Sequence, residues 1–494
     1  MENFSNLIKQ LTSKDNLESN ETLTENGALS LKSTLNELVD LFYQVLRDTD
    51  ENKIIDLVSL AWSKDPLLTL KIIAYIRDCR GGKGERKCGR ILLKWLAVNH
   101  KDILELNFKY FIEEFGRYDD MIDLIETDMK DYIINYISNK LIDDKKLLDK
   151  NKDVSLLAKW FPSENKSKNN GIYMKVVKKM KLTPKKLRKN YLTPLRNKIN
   201  IVETKMCKNQ WNDINFNKVP SNAMHLYSKS FKKHSNELYN EWVNNLSNGK
   251  TKLNAEMLFP HQIVEKYYYN TSNLEADPLL EAQWKIMLDK CKDYPSIENT
   301  LVLSDVSGSM GGLPMIISLT LGILISSLAK DTLKNLILTF ESDPRFFEIK
   351  GDTLKDKVNC LLSAPWGGST DFIKAINKIL TLGIDNNLSN DQMPKRLIVV
   401  SDMQFNDASN NNTNFEKVKI LYKKYNYEMP HIVFWNVRGS IKDIPVLTDT
   451  NNVSLVSGFS TNILKAILNN DEITPKTTML NAVNIPRYNI LTLI

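Results

Sequence analysis

The sequence predicts an α plus α/β fold, in which an N-terminal all-α domain is followed by a Rossmann-like, doubly wound α/β domain. Two observations predict this order. From residue 31 to residue 294, apolar residues recur at helical spacing and strand patterns are nearly absent. From residue 295 to residue 470, short apolar runs alternate with helical segments, as in a parallel sheet covered by helices.

The all-α part is predicted to consist of antiparallel helix pairs. Residues 1–30 are polar and lack periodicity, so we expect a partly ordered arm. In the first helix, Leu35, Leu38 and Phe42 fall on one face. Further amphipathic segments follow at 54–62, 67–77, 91–98, 103–115 and 121–126. Helix pairs in series favour a HEAT-like α-solenoid or a bundle.

In the α/β part, buried strands are expected at 301–303, 333–340, 346–349, 397–400, 432–437 and 453–456. The uncharged run 315–329 follows the first of these strands and predicts a core helix. The last segment, 471–494, carries Ile485, Tyr488 and Leu491, so we expect a tail that packs back on the helical domain.

Composition limits the class of protein. Hydrophobic residues make up 42% of the chain and charged residues 26%, which is ordinary for a globular protein. We expect no signal peptide and no membrane partner, because Met1 opens a polar stretch and the apolar run at 313–329 reads as a sheet-covering helix. Five scattered cysteines support neither a disulfide framework nor a zinc site. These features favour a cytoplasmic protein, and the abundance of Asn, Lys and Ile is typical of an AT-rich genome such as that of a large DNA virus, in which case a virion location is also open.

Oxygen side chains follow two of the expected strands. Asp305, Ser307 and Ser309 occupy alternate positions directly after the strand at 301–303. Asp402 ends the strand that begins at Arg396, and the Gly-rich segment 366–371 offers Thr370. Since the carboxyl ends of neighbouring parallel strands converge on one crevice, we expect these side chains to meet. Carboxylates and hydroxyls suit a hard cation, so the sequence predicts Mg²⁺ or Mn²⁺ there rather than zinc.

At these residues the chain resembles a von Willebrand factor A domain with its metal-ion-dependent adhesion site. The resemblance implies that Asp305, Ser307 and Ser309 form the first motif, Thr370 the second and Asp402 the third. Such a site leaves a position on the metal for water or for the Asp or Glu of a protein partner. Two interpretations of the Asn-rich loop 406–414 stay open: it frames that position, or it is a disordered surface loop.

A phosphatase of the haloacid dehalogenase type also begins at a strand-terminal Asp. That chemistry needs a second carboxylate two residues later as general acid, and this chain has Ser307 there. The sequence therefore favours a non-catalytic site.

A Gly-rich loop at 78–86 interrupts the predicted helices. It lacks the spacing of a phosphate-binding loop, and a helix precedes it. Two interpretations stay open: a structural helix end and turn, or a basic loop that contacts a nucleic-acid backbone through Arg80, Lys83 and Arg86.

Positive charge is concentrated between residues 166 and 208. Twelve lysines and two arginines stand against Glu203 alone, a net charge of +13 in a chain whose total is +8. Apolar residues recur among these lysines, so we expect folded helices with a basic surface. RNA is the favoured partner, and an acidic protein or an anionic membrane is the alternative. The candidate contacts are Lys178, Lys179, Lys185, Lys186, Arg188 and Arg196.

Combined with segment 157–163, the Gly-rich loop and the C-terminal metal motif give a layout similar to the DUF2828 family, whose architecture resembles that of the TROVE-domain Ro ribonucleoproteins. This resemblance implies an RNA-binding, non-catalytic scaffold with a metal-dependent adhesion site. The alternative is a protein–protein assembly module, in which a partner's acid completes the metal site. That alternative includes partnership with a separate AAA+ ATPase, because this chain has no Walker motif.

Overall fold

The computed structural model describes residues 20–164, 170–251, 253, 258–270, 275–292, 297, 299–340, 343–364, 371–406, 413–440, 443–468 and 473–493. These residues form two compact units. The sheet unit contains the described residues of Met1–Ile72 and Phe259–Pro486, and the helical unit contains those of Ile73–Leu258 and Arg487–Ile494. Each unit is therefore built from two separate stretches of the chain.

The sheet unit begins with a β-hairpin and helices. Strands β1 (Glu21–Leu23) and β2 (Leu29–Leu31) are antiparallel, with Thr22 opposite Ser30. Helices α1 (Glu37–Gln44), α2 (Glu51–Lys64) and α3 (Pro66–Arg77) follow, and the division between the units falls within α3. The side chain of Asn36 caps α1 and that of Asp50 caps α2, each by accepting two main-chain N–H groups.

The helical unit consists of short helices around apolar side chains. Its α-helices are α4 (Arg86–Asn99), α5 (Lys101–Lys109), α6 (Lys130–Asp149), α7 (Leu157–Trp160), α8 (Asn170–Lys179), α9 (Pro184–Leu187), α10 (Thr193–Ile199), α11 (Val202–Cys207), α12 (Ser221–His234) and α13 (Asn236–Ser247). Two π-helical segments (Tyr110–Phe115 and Arg188–Leu192) and three 3₁₀ segments (Tyr118–Glu126, Trp211–Asp213 and Phe216–Lys218) connect them. The all-α class predicted for this part of the chain is confirmed.

Six strands of the sheet unit form a mixed sheet. Its elements after the helical unit are α14 (Pro260–Tyr268), α15 (Pro278–Lys292), β3 (Thr300–Asp305), α16 (Leu313–Leu328), β4 (Leu336–Phe340), β5 (Phe346–Glu348), α17 (Leu354–Leu362), α18 (Phe372–Asp385), β6 (Arg396–Ser401), α19 (Asn414–Lys424), β7 (His431–Asn436), β8 (Val453–Ser457), α20 (Ile463–Leu468) and α21 (Pro475–Val483). Short 3₁₀ turns lie at Gly308–Met310, Asp331–Leu333 and Asn390–Gln392. The strand order is β5-β4-β3-β6-β7-β8. The edge strand β5 is antiparallel and the other pairs are parallel, as the predicted α/β class requires.

The two faces of the central strand β3 serve different layers. Leu301 and Leu303 belong to one core cluster with residues of α18 and α19, including Ile376 and Val418. Because side chains alternate along a strand, Ser304 faces the other way, where α16 approaches so closely that a Cβ on Gly322 would collide with the Ser304 hydroxyl. The sheet is thus covered on both faces, and its functional groups are displayed at the strand ends.

The first segment differs from the sequence-based expectation, and the last agrees with it in part. Of the expected arm, residues 1–19 lie outside the described residues, whereas residues 21–31 form a hairpin, because Leu31 pairs with Ile444 and Gly27 with Asn406 far along the chain. Within the expected tail, α21 packs on β8 in the sheet unit, whereas Tyr488 is buried in the helical unit against Tyr75 and Phe115. None of the described helices is long and apolar enough to cross a membrane.

Candidate functional site

The two predicted carboxylates lie at the ends of adjacent strands, Asp305 as the last residue of β3 and Asp402 directly after β6. In the parallel register Ser304 of β3 is opposite Val400 of β6, so Asp305 and Ser401 come next at the same edge. The Ser401 hydroxyl donates a hydrogen bond of 2.6 Å to Oδ2 of Asp305. Asp402 follows at once, and both Asp305 and Asp402 are fully buried. The structure thus places Asp305, Ser401 and Asp402 at one edge of the sheet.

A tight turn after β3 brings the two serines of the first motif together. Oδ1 of Asp305 accepts a hydrogen bond of 2.9 Å from the main-chain N–H of Ser307. A 3₁₀ turn over Gly308–Met310 follows, and the Oγ atoms of Ser307 and Ser309 are 3.0 Å apart. Gly312, with φ of +86°, then turns the chain into α16. The Ser307 side chain thus lies near the Asp305 carboxylate with the Ser309 hydroxyl beside it, and both serines are partly exposed.

Asp402 has one satisfied and one unsatisfied oxygen. Its Oδ1 accepts a hydrogen bond of 3.2 Å from the main-chain N–H of Gln404. Its Oδ2 is buried with no hydrogen-bond donor among the residues described. Nη1 of the Arg438 guanidinium lies 3.6 Å from this oxygen. A buried carboxylate oxygen without a hydrogen bond is costly, so the site is prepared for a positive charge.

The raised pKa values of Asp305 and Asp402 also favour a positive charge beside them. Burial, and after it the negative charge of Asp402, raise the pKa of Asp305 to about 6, against the hydrogen bonds from Ser401 and Ser307. Burial also raises the pKa of Asp402, against contacts with Gln404, Ser309 and Arg438. Two carboxylates that disfavour their own ionised forms are stabilised when a cation lies beside them.

These residues fit a small divalent cation. Two carboxylates and two hydroxyls are hard oxygen ligands of the type that Mg²⁺ and Mn²⁺ accept. Within the described ranges there is no group of three or more His, Cys, Asp and Glu residues that could hold a metal, so a zinc-type cluster is not seen there. Thr370 and residues 407–412 of the Asn-rich loop lie outside the described residues. The prediction for Asp305, Ser307, Ser309 and Asp402 as ligands stays a prediction.

The N-terminal hairpin contacts the segment that follows Asp402, which the sequence did not indicate. The Gln404 side chain accepts a hydrogen bond of 2.6 Å from the main-chain N–H of Glu25 and donates to Asp443. The side chains of Asn26 and Thr24 donate to the main-chain oxygens of Gln404 and Phe405. Residues 24–26 therefore hold the chain immediately after Asp402. The sequence feature that could have indicated this contact is Gln404, which stands two residues after the strand-terminal Asp402.

The Gly-rich loop in the helical unit is largely committed to structure. A Cβ at position 82 would collide with the main-chain oxygen of Tyr75, so Gly82 is required for the close packing of the loop. Arg80 donates to the main-chain oxygens of Glu114 and Gly116, at 2.7 and 3.3 Å. Arg86 is half-exposed and pairs with Asp119. Both arginines already have partners, which favours the structural interpretation of this loop.

The structure contradicts the predicted contact of Lys83 with a nucleic-acid backbone. Its side chain is fully buried, and burial lowers its pKa to about 7, against the charge of Glu85. An ammonium in this position does not reach the phosphates of a nucleic acid. The sequence did not reveal this because a lysine within a polar, Gly-rich loop is normally solvated.

The basic segment forms helices with one buried and one charged face. Tyr173, Val176, Leu187, Leu192 and Leu195 are buried. Lys178, Lys179, Lys185, Lys186 and Arg188 are exposed, and Arg188 lies 3.7 Å from Glu164. Arg196 differs from them, because it is half-buried and donates to the main-chain oxygens of Ala158 and Phe161, both at 2.8 Å. The five exposed residues remain candidate phosphate contacts, whereas Arg196 supports the fold.

Known proteins match nearly the whole chain. Residues 24–133 and 173–297 match the domain of unknown function DUF2828, and residues 299–485 match the domain of unknown function DUF7788. The uncharacterized protein L728 of Acanthamoeba polyphaga mimivirus is 30% identical over 94% of this chain and 87% of its own length. The chain therefore belongs to one family with the mimivirus protein L728, and DUF2828 matches most of its helical part, as its helical motifs indicated.

Proposed function

We propose that the protein is a non-catalytic binding protein whose sheet unit captures a carboxylate of a partner through a divalent cation. Asp305, Ser307, Ser309 and Asp402 would hold the ion, together with Thr370 from outside the described residues. When bound, the ion supplies positive charge and an open coordination position for an acidic ligand. The observation that supports this most directly is the pair of buried carboxylates on adjacent strands, one with an unsatisfied oxygen.

The sheet topology supports a von Willebrand factor A-type assignment for this unit. The order β5-β4-β3-β6-β7-β8 places the first motif of the site, at the end of β3, beside the third, at the end of β6. In open sheets of this type, ligands bind outside the carboxyl ends of the strands where the order reverses. The candidate metal residues lie at that point. Ser307, which occupies the general-acid position of a haloacid dehalogenase-type phosphatase, supports binding over catalysis.

The test uses Mn²⁺ as a probe for both the ion and its open position. Solvent-water relaxation is measured with Mn²⁺ and the full chain, first alone and then with a short Glu-containing peptide or its Gln counterpart. We expect bound Mn²⁺ to retain at least one exchangeable water, which the Glu peptide displaces and the Gln peptide does not. Asp305→Ala should abolish Mn²⁺ binding, and Asp356→Ala, an exposed acid of the same unit, should not. Bound Mn²⁺ without exchangeable water would refute carboxylate capture.

We infer a second function, RNA binding by the helical unit, from the exposed lysines of α8 and α9. Lys178 and Lys179 close α8, and Lys185 and Lys186 lie in α9. All four are exposed on helices whose opposite face is buried, which supports a fixed basic surface rather than a solvated tail. Surfaces of this kind bind nucleic-acid phosphates with strong dependence on salt.

A matched pair of quadruple variants tests this second function. Replacing Lys178, Lys179, Lys185 and Lys186 with Gln should lower affinity for every RNA tested and flatten the log–log salt slope by about one for each phosphate that is no longer neutralised. The control replaces four lysines of α19 (Lys417, Lys419, Lys423 and Lys424) with Gln, which makes the same change in net charge in the sheet unit. Equal reductions of affinity in the two variants would show non-specific attraction to total charge and would refute the assignment. The Asp305→Ala variant should bind RNA as the parent does.

A further inference from the structure

Arg438 is a cationic side chain placed between the first and third motifs of the candidate metal site. It follows β7 by two residues, and its main-chain N–H donates to Oδ1 of Asn436 at 2.8 Å. Its Nη1 donates to the main-chain oxygen of Ser309. The same nitrogen lies 3.6 Å from Oδ2 of Asp402. The guanidinium thus joins two motifs that approach each other from different strands.

The distance to Asp402 is that of an ion pair without a hydrogen bond. Asp402 is fully buried, and its Oδ2 has no hydrogen-bond donor in the described part of the chain. The Arg438 side chain is 33% exposed, so it has room to move outwards. Its positive charge offsets the buried negative charge of Asp402 when no metal is bound. A divalent cation held by Asp402 would offset that charge instead, and it would repel a guanidinium so close by.

We propose that Arg438 is the resident counter-cation of the metal-free site and that it sets the affinity of the site for divalent cations. This inference rests on the proposed metal-dependent function. In the metal-free protein, Arg438 stabilises the buried Asp402 carboxylate and keeps the strand ends together. An incoming ion must displace the guanidinium from Asp402, so Arg438 weakens binding of the ion while it protects the fold.

The role differs from that of a ligand contact or a structural brace. A residue that binds the partner's carboxylate would leave metal affinity unchanged when removed. A brace that holds the ligands in place would make metal affinity weaker when removed. Only a competing counter-cation gives tighter metal binding together with a less stable metal-free protein.

The experiment measures both quantities in Arg438→Gln. By calorimetry in about 0.1 M salt, where the Debye length of about 10 Å leaves such short contacts unscreened, the variant should bind Mg²⁺ at least tenfold more tightly than the parent. In EDTA, its thermal unfolding temperature should be lower than the parent's. The control, Arg345→Gln, removes an exposed positive charge of the same unit that lies 3.6 Å from Asp343. We expect it to change neither quantity.

A second variant, Asp402→Asn, helps to distinguish failure of the Arg438 role from failure of the proposed metal function. In EDTA, Arg438→Gln should cost little stability when Asp402 is already replaced by Asn, because the charge that it offsets is gone. Unchanged or weaker Mg²⁺ binding in Arg438→Gln, with normal binding in the parent, refutes the role of Arg438 alone. Absence of Mg²⁺ binding in both proteins refutes the proposed metal function and this inference with it. Equal decreases in stability with and without the Asp402→Asn change also refute the counter-cation role.

Discussion

Asp305→Asn is expected to stabilise the metal-free protein while removing a ligand of the proposed metal site. The carboxylate is fully buried, and burial and the charge of Asp402 raise its pKa to about 6 from an ordinary value of 3.8. The asparagine side chain preserves most contacts of the aspartate. Its oxygen can accept from the N–H of Ser307, and its amide can donate to the Ser401 hydroxyl, which both donates and accepts. The ionised charge is what the substitution removes.

The magnitude follows from linkage. Between pH 3.8 and about 6 the folded protein holds the Asp305 proton more tightly than the unfolded chain does, so stability falls as pH rises through this window. The full difference in pKa corresponds to about 3 kcal/mol at neutral pH. Because an amide makes weaker hydrogen bonds than a carboxylate, we expect a net gain of about 1 to 3 kcal/mol at pH 7.5. At pH 5 the gain should be roughly half as large, because this pH lies between the two pKa values and only part of the electrostatic cost has developed there.

Hydrogen–deuterium exchange of the β3 and β6 amides in EDTA measures this locally, which matters in a chain with two units. The matched control is Asp356→Asn in the same unit. Hydrogen bonds from the Thr353 hydroxyl and main chain lower the pKa of Asp356, so the same substitution should destabilise there. Loss of stability in Asp305→Asn at pH 7.5, or a gain that does not shrink at pH 5, would contradict the electrostatic reasoning.

Three further outcomes are expected. Arg487→Gln should lower the unfolding free energy of the helical unit by about 3 kcal/mol in denaturant titrations, because it leaves the buried Asp78 carboxylate without its guanidinium partner. Burial and the charge of Arg396 lower the pKa of His431 to about 3. Because the unfolded chain accepts a proton there more readily than the folded state does, stability falls as the pH drops below 6.5. His431→Gln should reduce this loss of stability in unfolding titrations below pH 6.5. Gln404→Ala should weaken Mg²⁺ binding severalfold in calorimetry with Asp402 intact, because it frees the segment after Asp402 from the hairpin.

The sheet and its acidic edge could be predicted because both are local in sequence. The strands β3, β6 and β7 are nearly continuous apolar runs, and each is buried along almost its whole length. Asp305 and Asp402 each end such a run, and parallel pairing forces those ends to one edge. The exposed lysines of α8 and α9 could likewise be predicted from apolar residues recurring among the charges.

What could not be predicted depends on contacts between distant residues. The β1–β2 hairpin is fixed by Ile444 and Asn406, about four hundred positions away, and its own three-residue strands carry little pattern. Arg438 follows an ordinary strand, and nothing near it in sequence indicates Asp402 as its neighbour. The burial of Lys83 results from helix packing around a loop whose composition is typical of a solvated segment. Charge and polarity in sequence therefore locate candidate residues, but only the fold decides which of them are available.

The cost of the acidic edge is itself an argument for a cation. A sheet that needed only stability would gain from an apolar or amide side chain at Asp305, since an isolated buried carboxylate disfavours folding at neutral pH. Instead the fold surrounds two such groups with partial remedies, namely the Ser401 hydroxyl, the N–H groups of Ser307 and Gln404, and the guanidinium of Arg438. None of these hydrogen-bonds Oδ2 of Asp402 in the described structure. Buried carboxylates that are only partly compensated by their neighbours are typical of a functional site. A divalent cation is the partner that these oxygen atoms suit.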